Sequence, residues 1–153
     1  MNIIIEGPYF GKATVCMHIL HSLPEWFGLE QSLNHYSTEI NNLPTFLSLN
    51  AAHVIGFISL KQHYSHSAEI YVMGVNPEMH HKGAGRALIN QAQVWLKSQG
   101  VTYLQVKTLG PSHPDEGYAR TRAFYEKMGF KPLEEIRQIW DEQNPCLIMI
   151  KKI

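Results

Sequence analysis

The stretch of this chain best suited to chemistry is His80-His81-Lys82-Gly83-Ala84-Gly85-Arg86. The nearly unbroken apolar run from Ile70 to Val75 before it reads as a buried strand, ended by Asn76-Pro77. A helix begins after it, with Leu88, Ala92 and Trp95 on one face. Strand, glycine turn and helix together aim bare backbone N–H groups at an anion. Gly83 and Gly85 let phosphate oxygens approach the main chain with no Cβ in the way. Lys82, Arg86 and the helix dipole favour negative charge there. Two familiar phosphate binders are excluded. No G-x-x-x-x-G-K-[ST] run exists, and Leu88 stands where a dinucleotide fingerprint needs its third glycine.

Proton chemistry has its candidates just upstream. Glu69 opens the buried strand, where a carboxylate could take a proton from an ammonium group directly or through water. The plainer reading is a strand-end glutamate meeting solvent or a lysine. His63 and His66 are alternative bases. They also form H-x-x-H, but without a third ligand they make a poor metal site, and no metal is expected.

These residues need a scaffold, and the sequence outlines one. Helices are expected near Ala13–His21 and Leu29–Ile40. A hairpin is expected from Pro44–Leu49 and His53–Leu60. The buried strand spans Ala68–Val75, and the helix after the glycines spans Gly83–Ser98 and closes at Gly100. A strand over Val101–Thr108 and a loop over Leu109–Gly117 lead to a helix over Tyr118–Met128. Strands near Phe130 and over Cys146–Lys152 complete the pattern. This alternation argues for a mixed α/β or α+β architecture, and 153 residues suit one domain, 1–153. Apolar residues make up 44% and charged residues 17%, so the chain is globular. Thirteen Lys and Arg balance thirteen Asp and Glu, leaving no electrostatic footprint for nucleic acid or an anionic membrane. No apolar run approaches the roughly 20 residues of a membrane span. The N-terminus lacks the pattern of a signal peptide, so a cytoplasmic location and two free thiols, Cys16 and Cys146, are expected.

The glycine turn also resembles the acetyl-CoA-binding motif of the GNAT acetyltransferase superfamily, [QR]-x-x-G-x-[GA], with His80 in place of the usual Gln or Arg. A later run, Tyr118-Ala-Arg-Thr-Arg-Ala-Phe-Tyr-Glu-Lys-Met-Gly-Phe130, is similar to that family's A-x-x-F-Y-E-K-x-G-F helix. Tyr118 stands where the family often has Asn. The resemblance covers about two thirds of the chain, from Leu43 onward. It implies a mostly antiparallel twisted sheet, flanked by helices and splayed at the cofactor strand.

By the same resemblance, acetyl-CoA is the cofactor. Its pyrophosphate would lie on His80, His81, Lys82, Gly83, Ala84, Gly85 and Arg86. Its pantetheine arm would lie along the main chain of Met73, Gly74 and Val75, with Tyr118 and Phe124 beside it. Glu69 matches a glutamate that some members use as a base. Tyr125 matches the tyrosine that faces the thiol, and a phenol with a pKa near ~10 can give a leaving thiolate its proton. Glu25, Trp26 and Phe27 could wall an acceptor site or simply pack, as could the Asp115-Glu116 loop with Trp140. The implied activity is N-acetyl transfer to a small-molecule or peptide amine. A non-catalytic acyl-CoA-binding sensor is the alternative. The partner is thus an amine acceptor, with a homodimer left open.

Overall fold

The computed structural model describes residues 2–24 and 30–153. The chain runs β1 (Ile3–Tyr9), α1 (Ala13–His21), α2 (Glu30–Ile40), β2 (Thr45–Asn50), β3 (His53–Tyr64) and β4 (Ser67–Val75). A short 3₁₀ turn, Pro77–Met79, leads to α3 (Ala84–Ser98), β5 (Tyr103–Leu109), α4 (Glu116–Lys127), β6 (Lys131–Asp141) and β7 (Asn144–Lys152). Among the described residues the strands form one seven-stranded sheet in the order β1-β2-β3-β4-β5-β7-β6. Every neighbouring pair is antiparallel except β4–β5. A parallel pair needs a crossover connection, and α3 provides it.

Helix α3 shows how spacing becomes packing. Ala84, Leu88, Ile89, Ala92 and Leu96 share one buried face. The helix stops where Gly100 takes φ +88° and Val101 N–H bonds back to Leu96 O at 3.0 Å, the glycine-ended closure helices favour. Helix α4 ends the same way: Gly129 has φ +96°, and Phe130 N–H bonds to Tyr125 O at 3.0 Å.

The sheet is covered on both faces. Leu88, Ile89, Ala92, Leu96, Tyr125 and Met128 pack with Ile58, Ile70, Val106 and Met149 on one face. Cys16, Ile19, Leu20, Leu33 and Ile40 pack with Leu47, Phe57 and Val72 on the other. Strand β4 serves both cores because it carries a bulge. Ser59 pairs with Val72 but Leu60 pairs with Ile70, so Tyr71 is the extra residue. Successive side chains alternate faces, and one inserted residue reverses that alternation. Ala68 and Ile70 therefore face α3, whereas Val72 faces α1 and α2.

The sequence outline fits with two differences. Strand β1 was not expected, because its exposed and half-buried residues alternate along a sheet edge and carry no buried run. Strand β6 is longer than anticipated and mostly exposed. Both cysteines are buried and free. Among the described residues, no helix is long and apolar enough to cross a membrane.

Candidate active site at the opening between β4 and β5

The site begins where two strands part. Strands β4 and β5 pair only from Ser67–Tyr103 to Ile70–Val106. Beyond Val106, β5 keeps β7 as its neighbour up to Leu109, and β4 keeps β3 up to Val75. Among the described residues, no strand pairs with the other edge from Tyr71 to Val75. Antiparallel pairing decides which groups line it. Asn76 N–H bonds to Ile55 O at 2.7 Å, so its peptide groups point at β3. Alternation then turns the N–H and C=O of Val75 and Met73 toward the opening. His80 bears this out, since its Nε2–H donates to Val75 O at 2.7 Å from that side.

The bulge of this strand lies at Tyr71, not at Gly74. What Gly74 permits is close approach: a Cβ there would sit 3.1 Å from Leu23 Cδ1 and 3.3 Å from Ile19 Cγ2. Helix α1 can therefore press on the sheet directly behind the opening.

At the top of the opening, the glycine turn presents an uncapped helix start. Asn76 Oδ1 accepts from Glu78 N–H at 3.1 Å and closes the preceding 3₁₀ turn. His81 (φ +62°) and Gly83 (φ +90°) then bend the chain through left-handed conformations, which only glycine adopts without cost. Gly83 precedes α3 with no side-chain cap, so the first N–H groups of the helix have no partner within it. A Cβ on Gly83 would meet nothing within 4 Å, which leaves room for a ligand. A Cβ on Gly85 would lie 3.1 Å from Phe124 Cζ and 3.8 Å from Met73 Cε. Gly85 is therefore the point where α3, α4 and the open half of β4 converge.

In the paired half of β4, Glu69 is buried. Its Oε1 accepts from His63 Nε2–H at 2.8 Å and its Oε2 from Lys107 Nζ at 3.0 Å. The strand register brings them together: Glu69 lies opposite Lys61 on β3 and Gln105 on β5, and Lys107 is two residues along on the same face. Lys61 places its ammonium 5.6 Å from the centre of the Tyr71 ring, and Tyr71 meets Tyr36 edge to face at 5.6 Å. His66 does not join this group; its ring stacks on Tyr64. Among the described residues, no group of three or more His, Cys, Asp or Glu is arranged to hold a metal ion.

Tyr125 lies inside the core, its ring 5.5 Å from Phe124 and 5.8 Å from Phe130. Burial pushes its hydroxyl pKa up, with further contributions from Tyr118 and Tyr36, so it holds its proton at every physiological pH. Burial, Tyr36 and Asp115 push Tyr118 up to about 12, and burial, Tyr36, Glu39 and Glu69 push Tyr71 up to about 12. Tyr36, Tyr71, Tyr118 and Tyr125 thus all hold their protons, Tyr36 and Tyr71 within the field of Glu69.

Of the residues anticipated for an acceptor wall, Asp115 is occupied in capping α4, where its Oδ1 accepts from Tyr118 N–H at 3.0 Å. Trp140 is exposed on β6. Glu25, Trp26 and Phe27 lie outside the described residues. Lys107 and Tyr36 do not stand out in the sequence. The one trace of Lys107 there is a charge alternating with Leu104 and Val106 in an otherwise buried strand.

The model of the acetyltransferase (GNAT) family matches residues 16–130, and the chain belongs to that family. Mycothiol acetyltransferase from Beutenbergia cavernae is 39% identical over 67 residues, which is 44% of this chain and 20% of that protein. The chain thus matches only about a fifth of that relative's length, and a quarter of the corresponding protein from Jonesia denitrificans. Among solved structures, a GNAT-family protein from Desulfovibrio desulfuricans superposes with TM-score 0.85 at 16% identity, covering 99% of both chains. The ribosomal-protein-S18-alanine N-acetyltransferase of Escherichia coli gives TM-score 0.78 at 19% identity, over 99% of this chain and 94% of that one. PaiA N-acetyltransferase of Thermoplasma acidophilum, crystallised with coenzyme A, gives 0.76 at 21% identity over the full length of both. At these identities the likeness is one of fold.

Proposed function

We propose that this protein moves an acetyl group from acetyl-CoA to a primary amine. The observation that carries this reading is the pairing of β4: closed around Glu69 and open from Tyr71 to Val75, directly below an uncapped, glycine-led helix start. The residues present fit the co-substrate. The N–H groups at the start of α3, together with Lys82 and Arg86, suit a pyrophosphate. The outward peptide groups of Met73 and Val75 suit the amide-bearing pantetheine arm, as a neighbouring strand would. Phe124 closes over Gly85 beside them. Bound acetyl-CoA supplies an activated acetyl group and a thiolate as leaving group.

The chain's own groups move the protons. An amine must lose one before it attacks. Glu69, bonded to both His63 and Lys107, receives it through His63: the imidazole takes the proton at Nδ1 and passes the one on Nε2 to Glu69 Oε1. Lys107 fixes the other carboxylate oxygen and keeps Glu69 from rotating away. Tyr125 donates its hydroxyl proton to the departing sulfur, and burial keeps that proton on the phenol until the thiolate forms. The proton gained on one side balances the one given on the other.

The test is release of free thiol from acetyl-CoA with a panel of small amines and N-terminal peptides. Acceptor-dependent release, lost in the Glu69→Gln/Tyr125→Phe double variant, is expected. Tight acetyl-CoA binding with no release for any acceptor would instead identify a non-catalytic acyl-CoA sensor.

A further inference from the structure

Tyr125 and Glu69 lie on opposite faces of the sheet. Tyr125 packs with Ile70 and Val106 on the α3 side. Glu69 alternates with Ala68 and Ile70, which also face α3, so its side chain stands on the α1 and α2 side. In the proposed reaction the thiol leaves toward Tyr125 and the amine gives up its proton toward Glu69. The amine therefore arrives on the Glu69 side of the opening. Strands β3, β4 and β5 furnish that rim. Lys61 lies opposite Glu69 on β3. Lys107 follows Gln105, the partner of Glu69 on β5, by two residues. Tyr71 comes between them on β4, and its ring meets Tyr36 of α2.

This rim is cationic. Glu69 is bonded to His63 at 2.8 Å and to Lys107 at 3.0 Å, so one carboxylate is shared between two basic groups. Lys61 adds a second ammonium. It is half-buried, and among the described residues no carboxylate lies within ion-pair distance of it. Glu39 of α2, whose charge reaches Tyr71, lies 3.9 Å from His35 instead. The aromatic surface does not offer itself to a cationic ligand either. Lys61 already stands 5.6 Å from the centre of the Tyr71 ring, the place a ligand's ammonium would take in a cation–π contact. A half-buried ammonium without a counter-charge favours an incoming anion.

We propose that the acceptor is a small molecule carrying a carboxylate as well as its amine, and that Lys61 selects it by binding that carboxylate. This rests on the acetyl-transfer reading above. The amine lies toward His63 and the carboxylate toward Lys61, the two basic residues that β3 sets around Glu69. Polyamines and other polycations are disfavoured, because their further ammonium groups meet Lys61 and Lys107.

Thiol release from acetyl-CoA with matched acceptors tests this. The panel is the common α-amino acids, β-alanine and γ-aminobutyrate, the amide of each, and spermidine. Rates are expressed per free amine, because the carboxylate also changes amine basicity. In the preferred pair the carboxylate form should exceed its amide by roughly tenfold or more in kcat/KM, the scale of one charge-assisted hydrogen bond. Spermidine should be the poorest acceptor. Lys61→Met should remove the carboxylate's advantage through KM, with kcat and the rate on the amide unchanged. Lys61→Arg should keep the advantage, and Lys61→Glu should reverse it. A wild-type protein that acetylates amides or spermidine as well as carboxylates overturns this proposal and leaves acetyl transfer standing. So does a carboxylate preference indifferent to Lys61→Met and Lys61→Glu. Acetyl-CoA binding with no thiol release for any acceptor overturns both.

Discussion

From Ser67 to Ile70, strand β4 has hydrogen-bonded neighbours on both edges; from Tyr71 to Val75 it has β3 on one edge and an opening on the other. The closed half holds a side chain, Glu69, in fixed company. The open half offers peptide groups and little else. A paired strand can orient a carboxylate because its own backbone is already satisfied on both sides. A half-paired strand can bind a ligand's amides because its backbone is not. The bulge at Tyr71 marks the border and sends the side chains on either side of it to different cores. In the proposed mechanism one short element thereby separates proton handling from cofactor binding, and substitutions in the two halves should act on different measurements.

The largest expected effect belongs to a residue that serves neither half alone. Tyr125→Phe keeps the ring among Phe124 and Phe130 and removes the proton donor. kcat should fall by roughly 10²-fold or more, with the acetyl-CoA dissociation constant and melting temperature almost unchanged. A wild-type kcat would reduce Tyr125 to packing.

Next comes the closed half. Glu69→Gln should lower kcat/KM by about 10²-fold, most strongly at low pH, where the acceptor arrives protonated. His63→Gln should reproduce the change in the pH profile. Lys107→Met should leave the profile's shape intact but lower the melting temperature, since it strips a buried carboxylate of its counter-charge. A Lys107→Met protein with the profile of Glu69→Gln would place the lysine itself in the proton path.

In the open half, Gly83→Val should act on binding alone. The site has space for a side chain, but φ +90° strains a β-branched residue, and the new methyls stand in the approach of the phosphates. Calorimetry should show acetyl-CoA affinity weakened by about tenfold, with kcat at saturation retained. Unchanged affinity in a folded variant would move the pyrophosphate elsewhere.

The smallest effect is shared by both halves and concerns alkaline stability. Burial pushes Tyr71 and Tyr118 up to about 12 and raises Tyr36 and Tyr125 as well. It also pushes the thiols of Cys16 and Cys146 up, to about 12 and about 11. Such groups keep protons in the folded state that the unfolded chain releases earlier. Their contribution is therefore complete below the unfolded pKa values of ~9–10. It is lost as pH rises toward 12. Melting temperature should hold steady to about pH 9 and decline progressively above it, and a flat profile to pH 12 would mean that these groups are solvated.

Much of this was legible in the sequence because it is local. The glycine turn, the strand before it and the helix closed by Gly129 announce themselves within a few residues, by turn chemistry and periodicity. The contacts of Glu69 did not. His63 is six residues away, but across a hairpin whose register carries bulges, and Lys107 is thirty-eight away. Which lysine meets a buried carboxylate depends on the offset of β5 against β4, and no spacing rule encodes a parallel register across a crossover helix. Strand β1 was missed for a different reason. An edge strand half in water lacks the apolar run that identifies a buried one. The uncommitted look of Asp115 was likewise deceptive, since a residue before a helix is as suited to capping as to recognition.

The short join between β4 and β5 has a mechanical consequence. Among the described residues, four register pairs link the plate β1-β2-β3-β4 to the plate β5-β7-β6 within the sheet, so the wedge is also the sheet's seam. A molecule seated there and touching both plates is a splint across a hinge. Amide exchange at Ser67–Ile70 and Tyr103–Val106 should therefore slow on acetyl-CoA binding, although those amides lie outside the wedge itself. The occupied protein should resist unfolding in proportion to the logarithm of ligand concentration.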